Sequence, residues 1–323
     1  MRYIIYGAGA IGGTIGARLQ LAGFPVVFIA RGGHLESLRS TGLAFATPEG
    51  VHELDVSAAA NAAEAELRED DFIFLAVKSQ DTAGALDDIR GATGGRIAIA
   101  CAQNGVANER LAARFFERVY ATVVMLPASH LRPGAIQCES APTTGILDTG
   151  RYPSGIDDLC VRVCGELEQA TFSARPDGEI MRQKYRKLLM NLNNSIGALC
   201  GRSEAARDLS RMCRREADAV YRAAGIDSAT DEEFLARREG LIQVRPVEGR
   251  ERAGSSSWQS LERGTGRIEA DYLNGEIVLL GRLHGVATPA NRVLQEAAAV
   301  AAASRAKPES VDATALLAKA RAL

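Results

Sequence analysis

The sequence predicts an α/β protein with an N-terminal doubly wound sheet and a C-terminal all-helical domain. Apolar strands alternate with helices through the first half, a glycine-rich turn joins the first strand to the first helix, and the pattern becomes helical from residue 178 onward. At 323 residues the chain exceeds the size at which one hydrophobic core stops growing, roughly 250 to 300 residues. We therefore predict two domains, residues 1–177 and residues 178–323.

The first strand, turn, helix and second strand follow one another at the start of the chain. The apolar run RYIIY ends at glycines, TIGARLQLAGF has helical spacing up to Gly23, and PVVFIAR is a second buried strand. Three later segments repeat an apolar strand followed by a polar turn, and they occupy residues 70–80, 95–105 and 118–126. Repeated βα units predict a parallel sheet with helices on both faces.

The pattern changes after Pro127. The stretch HLRPGAIQCESAPTTGILD contains short β-like runs separated by turns, which predict antiparallel strands at the sheet edge. From residue 178 the long segments have helical periodicity, and most of them end at glycine. Residues 244–258 form a long arginine-rich loop, and loops of this length tend to be functional or disordered.

Composition excludes several classes of protein. The chain is 46% hydrophobic and 24% charged, and its formal net charge of −2 lacks the basic balance that nucleic-acid binding requires. No apolar run approaches the roughly 18 residues of a membrane span, and the early first strand leaves no room for a signal peptide. We therefore expect a cytoplasmic protein without membrane contact. The six cysteines contain no C-x-x-C pair and have no histidine at zinc-ligand spacing, so we expect no metal site. We assign no chemistry to the four histidines.

The glycine-rich turn GAGAIG predicts a dinucleotide-binding site. The first glycine permits a tight strand-to-helix turn, the second lets the backbone approach a pyrophosphate, and the third lets the helix pack closely on the sheet. The N-terminus of the following helix then faces the anion with unpaired N–H groups. The predicted cofactor contacts in this Rossmann-type arrangement are Gly7, Ala8, Gly9, Ala10, Ile11 and Gly12.

The end of the second strand selects between the two nicotinamide cofactors. An acidic residue there binds the ribose 2′-hydroxyl of NAD, whereas an arginine accommodates the 2′-phosphate of NADP. The sequence FIARGGH places Arg31 at this position, and no carboxylate occurs until Glu36. We therefore predict NADP(H) as the cofactor, the alternative being a solvated arginine at a strand end.

Several short motifs occur along nearly the whole chain in the order GAGAIGG, AR after the second strand, AVKSQDT, AQNGVANE, KYRKLLMNLNNSIGAL, SSSWQS, and RIEADYLNG followed by HGVATPAN. In this combination they resemble the 2-dehydropantoate 2-reductase (ketopantoate reductase) family. The resemblance implies NADPH-dependent reduction of the ketone of a 2-oxo acid, as in pantothenate biosynthesis. It also implies that the substrate is held between a Rossmann domain and a helical domain.

The resemblance implies two catalytic residues. The family's catalytic lysine matches Lys187, and its partner carboxylate, which also contacts the cofactor, matches Glu269. A ketone that accepts a hydride becomes an alkoxide, and a lysine beside a carboxylate can donate a proton to it. Without the resemblance, Lys187 would be one more basic residue beside Lys184 and Arg186 on a solvated helix face. Glu269 would be a solvated glutamate in a first helical turn.

Further polar residues complete the site that the resemblance implies. Asn191 lies four residues beyond Lys187 and therefore on the same helix face, although it could also serve only as a cap or bridge. Ser257 matches a serine that binds the substrate carboxylate. Lys78 and Asn104 match polar groups of the cofactor domain, and Asn104 would contact both cofactor and substrate.

Some positions depart from the family pattern. Tyr185 stands where the family has tryptophan, and Ser195 stands where it has a second asparagine. Helix geometry places Asn194 within about 20° of Lys187, so we expect Asn194 to substitute in part as a substrate contact.

Gly254 replaces an asparagine that contacts the substrate in the family. This change, beside an unchanged catalytic pair, favours a paralogue that reduces a larger or dicarboxylic 2-oxo acid. The space left by the asparagine would admit a bulkier substrate side chain. The arginine-rich loop would hold a second carboxylate through Arg245, Arg250 and Arg252.

Two other functions remain open from the sequence. A 3-hydroxyacid or 6-phosphogluconate type dehydrogenase shares the two-domain plan and also uses lysine, but Glu269 paired with Lys187 favours the reductase. A non-catalytic NADP-sensing regulatory protein would need Arg31 and the glycine turn but neither catalytic residue. The oligomeric state is also open, with a homodimer among the options.

Overall fold

The structure is a computed structural model, and it describes residues 1–249 and 254–323. The chain divides into two compact units, one of Met1–Lys184 with Asp231–Arg252 and one of Tyr185–Thr230 with Ala253–Leu323. The predicted boundary after residue 177 differs from this division in two places. Residues 178–184 and 231–252 belong to the first unit and not to the second. Within the described ranges, none of the helices has the length and apolarity that crossing a membrane requires.

The first unit contains all the strands of the described residues. In chain order they are β1 (Tyr3–Tyr6), β2 (Val26–Ile29), β3 (Leu43–Thr47), β4 (Gly50–Leu54), β5 (Ser57–Ala59), β6 (Phe72–Leu75), β7 (Ala98–Cys101), β8 (Val119–Met125), β9 (Ala128–Arg132), β10 (Ala135–Cys138) and β11 (Ile146–Arg151). One sheet has the order β5, β2, β1, β6, β7, β8, β11, and a smaller one has the order β4, β3, β10, β9. The large sheet is parallel from β5 to β8, and β11 pairs antiparallel with β8.

The helices of the described residues begin and end as follows: α1 (Ala10–Leu21), α2 (Gly32–Ser40), α3 (Thr82–Thr93), α4 (Ala107–Ala112), α5 (Asp158–Gln169), α6 (Ile180–Asn191), α7 (Asn193–Cys200), α8 (Glu204–Ala224), α9 (Asp231–Arg238), α10 (Ser256–Glu262), α11 (Asn274–His284), α12 (Pro289–Ala303) and α13 (Ala313–Arg321). Two 3-10 turns, Ser79–Asp81 and Glu269–Tyr272, precede α3 and α11.

The strand order of the large sheet confirms the predicted doubly wound architecture. From β5 to β8 it is the Rossmann order, in which the chain starts at the centre, winds outward to one edge and then crosses to the other side. Strands β6, β7 and β8 are buried along their whole length, as expected for parallel strands covered on both faces. Tyr3 stacks on Phe74 with ring centroids 5.8 Å apart, and Phe72 packs edge-on against both rings.

The antiparallel edge is confirmed in β11, but β9 and β10 do not extend the large sheet. They join β3 and β4 in the smaller sheet, which packs against α1. Helix α1 and strand β10 approach each other closely at Gly13, where an added Cβ would lie 1.8 Å from Cδ1 of Ile136. This hairpin therefore covers the helix that follows the glycine turn.

The helices predicted after residue 178 are present and, except for the first residues of α6, lie in the second unit, whereas the short α9 belongs to the first unit. The longest, α8, begins where the Ser203 hydroxyl accepts a hydrogen bond from the Ala206 N–H, and it ends at Gly225 in the left-handed conformation. These are the start and stop signals that the sequence contains.

Lys184 on α6 is buried, contrary to the alternative interpretation of this helix face as solvated. Its side chain is 3% exposed and its Nζ donates to the Gln103 carbonyl at 3.0 Å, to the Cys101 carbonyl at 3.4 Å and, over a short contact, to Oε1 of Glu109. Glu109 is fully buried. All these groups belong to the first unit, so the ammonium joins the first turns of α6 to the carboxyl end of β7.

The buried pair predicts a large loss of stability when one partner is removed. We expect Lys184→Met to lower the free energy of unfolding by about 3 to 5 kcal/mol, because Glu109 then becomes an uncompensated buried charge. The double variant Lys184→Met/Glu109→Gln should recover part of this loss. Urea unfolding of the purified chain measures both.

The control is Lys319→Met, which breaks an exposed pair with Glu296 at 3.0 Å. We expect this substitution to cost less than about 1 kcal/mol. Equal losses from Lys184→Met and Lys319→Met would contradict the role of the buried pair.

Candidate active site

The glycine turn has two glycines where a side chain would collide with the protein, Gly7 and Gly12, and one where it would not, Gly9. Gly7 has a φ of +104°, and an added Cβ would lie 2.7 Å from the Val77 nitrogen. At Gly12 it would lie 2.2 Å from the Gly7 carbonyl oxygen. At Gly9 the nearest atom is 4.0 Å away, on the ring of His130, so this backbone is open to a ligand. Helix α1 begins after Gly9, and no side chain of the described residues caps its N-terminus.

Arg31 lies at the carboxyl end of β2, at the N-cap of α2. Its side chain is 79% exposed, and one nitrogen lies 2.9 Å from a carboxylate oxygen of Asp81 in the turn after β6. A guanidinium has five N–H donors, so this contact leaves donors for an anion. The predicted phosphate contact is therefore presented to solvent on the first unit.

A buried hydrogen-bond network supports the turns after β6 and β7. The Gln103 amide donates to the Val77 carbonyl at 2.9 Å and to the Thr82 hydroxyl at 2.8 Å. The Asn108 amide donates to the Ser79 hydroxyl at 3.2 Å and to the Asn104 carbonyl at 3.3 Å, and Thr82 donates to the Asn108 amide oxygen at 2.8 Å.

This network fixes the backbone next to two predicted site residues, Lys78 and Asn104. The sequence analysis did not identify Gln103 and Asn108, although both occur within the motif AQNGVANE. Their amides hold backbone and hydroxyl groups, which indicates a supporting role.

In the part of the chain that the structure describes, the helical unit has two buried side-chain oxygen atoms that lack partners. Asn191 on α6 is 5% exposed and Ser257 on α10 is 1% exposed. Neither the Asn191 Oδ1 nor the Ser257 Oγ has a hydrogen-bond partner among the described residues. A buried polar atom without a partner costs about 1 to 3 kcal/mol, so such atoms are expected where a ligand supplies the partner. Lys187, one turn before Asn191, is partly exposed.

Glu269 is buried at the start of the 3-10 turn that precedes α11. Burial lowers the pKa of the nearby Arg263 guanidinium, and the negative charge of Glu269 opposes that effect. Glu269 therefore does not lie on a solvated helical turn. Its pairing with Lys187 stays a prediction.

Ser195, which stands where the family has a second asparagine, hydrogen-bonds within the helical unit. It is fully buried and donates to Oδ1 of Asn274 at 2.7 Å. The Asn274 amide in turn donates to the Leu192 carbonyl at 3.3 Å and to Oδ1 of Asn291 at 3.0 Å. Ser195 is thus part of the scaffold that joins α7, α11 and α12. The backbone carbonyl of Asn194 accepts from the Ser255 hydroxyl at 3.5 Å, and the role of its side chain stays a prediction.

The space at Gly254 is filled. An added Cβ would lie 2.4 Å from Cγ and 2.7 Å from Cδ2 of Trp258, one turn ahead on α10. The expectation of a vacant volume at this position is therefore wrong, because the indole ring occupies it. In the arginine-rich loop, the backbone N–H of Arg245 donates to the Glu139 carbonyl at 2.8 Å. Arg250 and Arg252 lie outside the described residues.

Known proteins match this chain over most of its length. Residues 3–151 match the family described as Ketopantoate reductase PanE/ApbA, and residues 179–303 match its C-terminal counterpart, Ketopantoate reductase PanE/ApbA C terminal. The 2-dehydropantoate 2-reductase of Archaeoglobus fulgidus is 30% identical over 299 residues, which cover 91% of this chain and 95% of that protein. The enzyme of the same description from Mesorhizobium japonicum is 30% identical over 324 residues, with 90% and 94% covered.

Solved structures share the whole fold. A PanE/ApbA family ketopantoate reductase from Ralstonia eutropha superposes with a TM-score of 0.78 at 28% identity, covering 94% of this chain and 99% of that one. A D-mandelate dehydrogenase in a ternary structure with NADH and anilino(oxo)acetate gives a TM-score of 0.79 at 23% identity, with the same coverage. This second likeness concerns the fold alone. From the family matches over both units, this chain belongs to the ketopantoate reductase PanE/ApbA family.

Proposed function

We propose that this protein reduces a 2-oxo acid to the 2-hydroxy acid with NADPH. The observation that carries the proposal is a pair of buried oxygens, Asn191 Oδ1 and Ser257 Oγ, that have no partner among the described residues and lie in the unit that presents Lys187. Both are acceptors, and the serine is also a donor, so together they suit the hydroxyl and carboxylate groups of a small polar substrate.

The first unit suits a dinucleotide phosphate. The open backbone at Gly9, the uncapped N-terminus of α1 and the exposed guanidinium of Arg31 would hold the pyrophosphate and the 2′-phosphate. Lys78 and Asn104, on turns held by the Gln103 and Asn108 network, would contact the remaining cofactor groups, and Asn104 would also contact the substrate.

The chemistry requires a proton donor, and we assign this role to Lys187 on the helical unit. NADPH, when bound, supplies a hydride to C2 of the ketone. As the hydride arrives, the electron pair of the C=O bond moves to the oxygen, and the Lys187 ammonium donates a proton to that oxygen. Lys187 is then a neutral amine, which regains its proton from water. Glu269 would orient the ammonium and contact the cofactor, while Asn191, Asn194 and Ser257 would orient the substrate.

The relatives suggest 2-dehydropantoate as one substrate, but the fold alone does not determine which 2-oxo acid is bound. A D-mandelate dehydrogenase shares the architecture, and in this chain Gly254 offers no amide where the family has asparagine. We therefore propose a 2-oxo acid other than 2-dehydropantoate. A non-catalytic NADP-binding regulator is the second candidate, and turnover of any 2-oxo acid distinguishes the two.

Cofactor selection is tested at Arg31. Arg31→Ala should raise the KM for NADPH about 10- to 150-fold, which corresponds to the loss of about 1.5 to 3 kcal/mol from a charge-assisted hydrogen bond. The KM for NADH should change little, because NADH has no 2′-phosphate. Steady-state kinetics with both cofactors measures the difference.

The matched control is Arg39→Ala, on the same helix and also partly exposed. We expect it to leave both KM values unchanged. A similar weakening of NADPH and NADH by Arg31→Ala would show that this arginine does not bind the phosphate.

Proton donation is tested at Lys187. Lys187→Ala should lower kcat by about 100-fold or more, the scale of losing a positioned general acid, while NADPH affinity stays within about threefold. Lys319→Ala, which removes a lysine from the surface of the same unit, should leave kcat unchanged. An active Lys187→Ala variant would place the proton donor elsewhere.

Substrate identity is tested with a matched pair of 2-oxo acids. Amides that bind a substrate hydroxyl can discriminate against the deoxy analogue by about 10⁴ or more, and a site that keeps Asn191 but has glycine at position 254 should discriminate less. We expect kcat/KM for 2-dehydropantoate to exceed that for 3,3-dimethyl-2-oxobutanoate, which lacks the hydroxyl, by less than about 100-fold. Aromatic and dicarboxylic 2-oxo acids complete the series.

The double variant Gly254→Asn/Trp258→Ala supplies the amide and removes the ring that would collide with it. It should raise the discrimination in favour of 2-dehydropantoate. Strong discrimination by the wild-type enzyme, with a kcat/KM for 2-dehydropantoate above about 10⁵ M⁻¹s⁻¹ and above every other acid, would contradict the proposal and favour the substrate of the relatives.

A further inference from the structure

His34 lies beside the glycine turn, three residues beyond Arg31 on α2. Its Nε2 is 2.7 Å from the carbonyl oxygen of Ala8, the residue between the first two glycines. Its Nδ1 is 3.0 Å from the backbone nitrogen of Gly134, in the turn between β9 and β10. The ring of His130 on β9 packs against it, with centroids 4.3 Å apart.

These two contacts fix the protonation state of His34. A carbonyl oxygen can only accept, so Nε2 carries the hydrogen and donates it to Ala8. A backbone N–H can only donate, so Nδ1 is unprotonated and accepts from Gly134. The geometry therefore requires the neutral Nε2–H tautomer. An imidazolium would turn an N–H toward the Gly134 N–H and lose that hydrogen bond.

The hydrogen bond to Ala8 also orients the next amide. The peptide between Ala8 and Gly9 is planar and trans, so its C=O and N–H point in opposite directions. Holding the Ala8 carbonyl against the imidazole therefore directs the Gly9 N–H away from it. Gly9 is the position whose backbone is open to a ligand, and it immediately precedes α1.

We propose that His34 is a positioning residue for the cofactor, whose neutral Nε2–H tautomer holds the Ala8 peptide so that the Gly9 amide is directed at the cofactor phosphate. The proposal rests on the proposed function, because it presumes that the glycine turn binds a dinucleotide. The proposal adds a side chain outside the glycine motif that fixes the orientation of a peptide group within the motif. It also makes cofactor affinity depend on the protonation state of His34.

Burial supports the neutral form. It lowers the pKa of His34 from its usual 6.5, and the hydrogen bond to Ala8 opposes this shift only in part. The glycine turn faces the ring with backbone groups. Strand β9 contributes the imidazole of His130 and ends at Arg132. The ionisable neighbours on α2 and at its N-cap are Arg31, Glu36 and Arg39. Because the pKa is lowered, the interaction is complete at neutral pH and is lost as the pH falls through a value below 6.5.

Two variants separate the contacts of the ring. In His34→Gln the side-chain amide reaches the position of Nε2 and can still donate to Ala8 without titrating. In His34→Asn the shorter amide reaches only the position of Nδ1, so it can accept from Gly134 but not donate to Ala8. The dissociation constant of NADPH is measured by titration calorimetry from about pH 5 to about pH 8, the range in which histidine changes charge.

At neutral pH we expect His34→Asn to weaken NADPH binding about tenfold, the effect of losing one hydrogen bond, and His34→Gln to stay within about threefold of wild type. The KM for NADPH should follow the dissociation constant while kcat stays unchanged. Wild-type affinity should fall below about pH 6.5 more steeply than that of His34→Gln, which retains only the titration of the cofactor phosphate.

Thermal unfolding distinguishes positioning from simple stabilisation. If His34→Asn lowers the melting temperature but leaves NADPH affinity and its pH dependence equal to wild type, the residue is structural and the proposal fails. It also fails if His34→Gln binds as weakly as His34→Asn. If the wild-type chain binds no NADPH, the proposed function itself is wrong. If the wild-type chain binds NADPH and both variants bind it with the same affinity, only the role of His34 is refuted and the proposed function stands.

Discussion

The backbone turn at Gly7 is the constraint on which the first unit depends. A φ of +104° and an added Cβ only 2.7 Å from the Val77 nitrogen leave room for glycine alone between the ends of β1 and β6. Because β1 pairs with both β2 and β6, this turn starts α1 at the edge where the chain also leaves those two strands. Arg31 follows β2 and Lys78 follows β6, so both lie at that edge for the same reason.

Local patterns in the sequence were sufficient for the main architecture. Alternating strands and helices predicted the parallel sheet, the glycine spacing predicted the turn, and capping residues such as Ser203 and Gly225 marked the ends of α8. The placement of β9 and β10 was not predictable in this way, because β10 pairs with β3, which is far away in the chain. Periodicity identifies a strand, but it does not identify the neighbour with which that strand pairs.

The residues that sequence analysis interpreted incorrectly, or passed over, have contacts distant in the chain. Lys184 reaches Glu109, 75 residues away, and His34 reaches Gly134, 100 residues away. A signal for Lys184 was nevertheless present. It lies four residues before Leu188 and seven before Asn191, so all three share a helix face, and that face is buried. A lysine in an apolar helical stripe predicts a buried partner, even when its identity comes only from the structure.

Among the described residues, the helical unit contains buried polar groups that are hydrogen-bonded within a scaffold and others that lack a partner. Ser195 and Asn274 hydrogen-bond to each other, and Asn291 donates to Glu216 at 2.8 Å and to the Cys213 carbonyl at 3.2 Å. Such connected networks fix helix positions, and they need no ligand to be stable.

Asn191 and Ser257 are equally buried, but the described residues leave one oxygen of each without a partner. In the unbound protein such an atom costs free energy, and a bound molecule that supplies the missing partner removes that cost. The same criterion applies to the Ser195 substitution. Replacing a family asparagine there changed a group that now bonds within the protein, so by itself it carries no information about the substrate. Gly254 and Trp258 are different, because there an amide was lost and an indole ring occupies its space, and substrate selectivity should therefore depend on that pair.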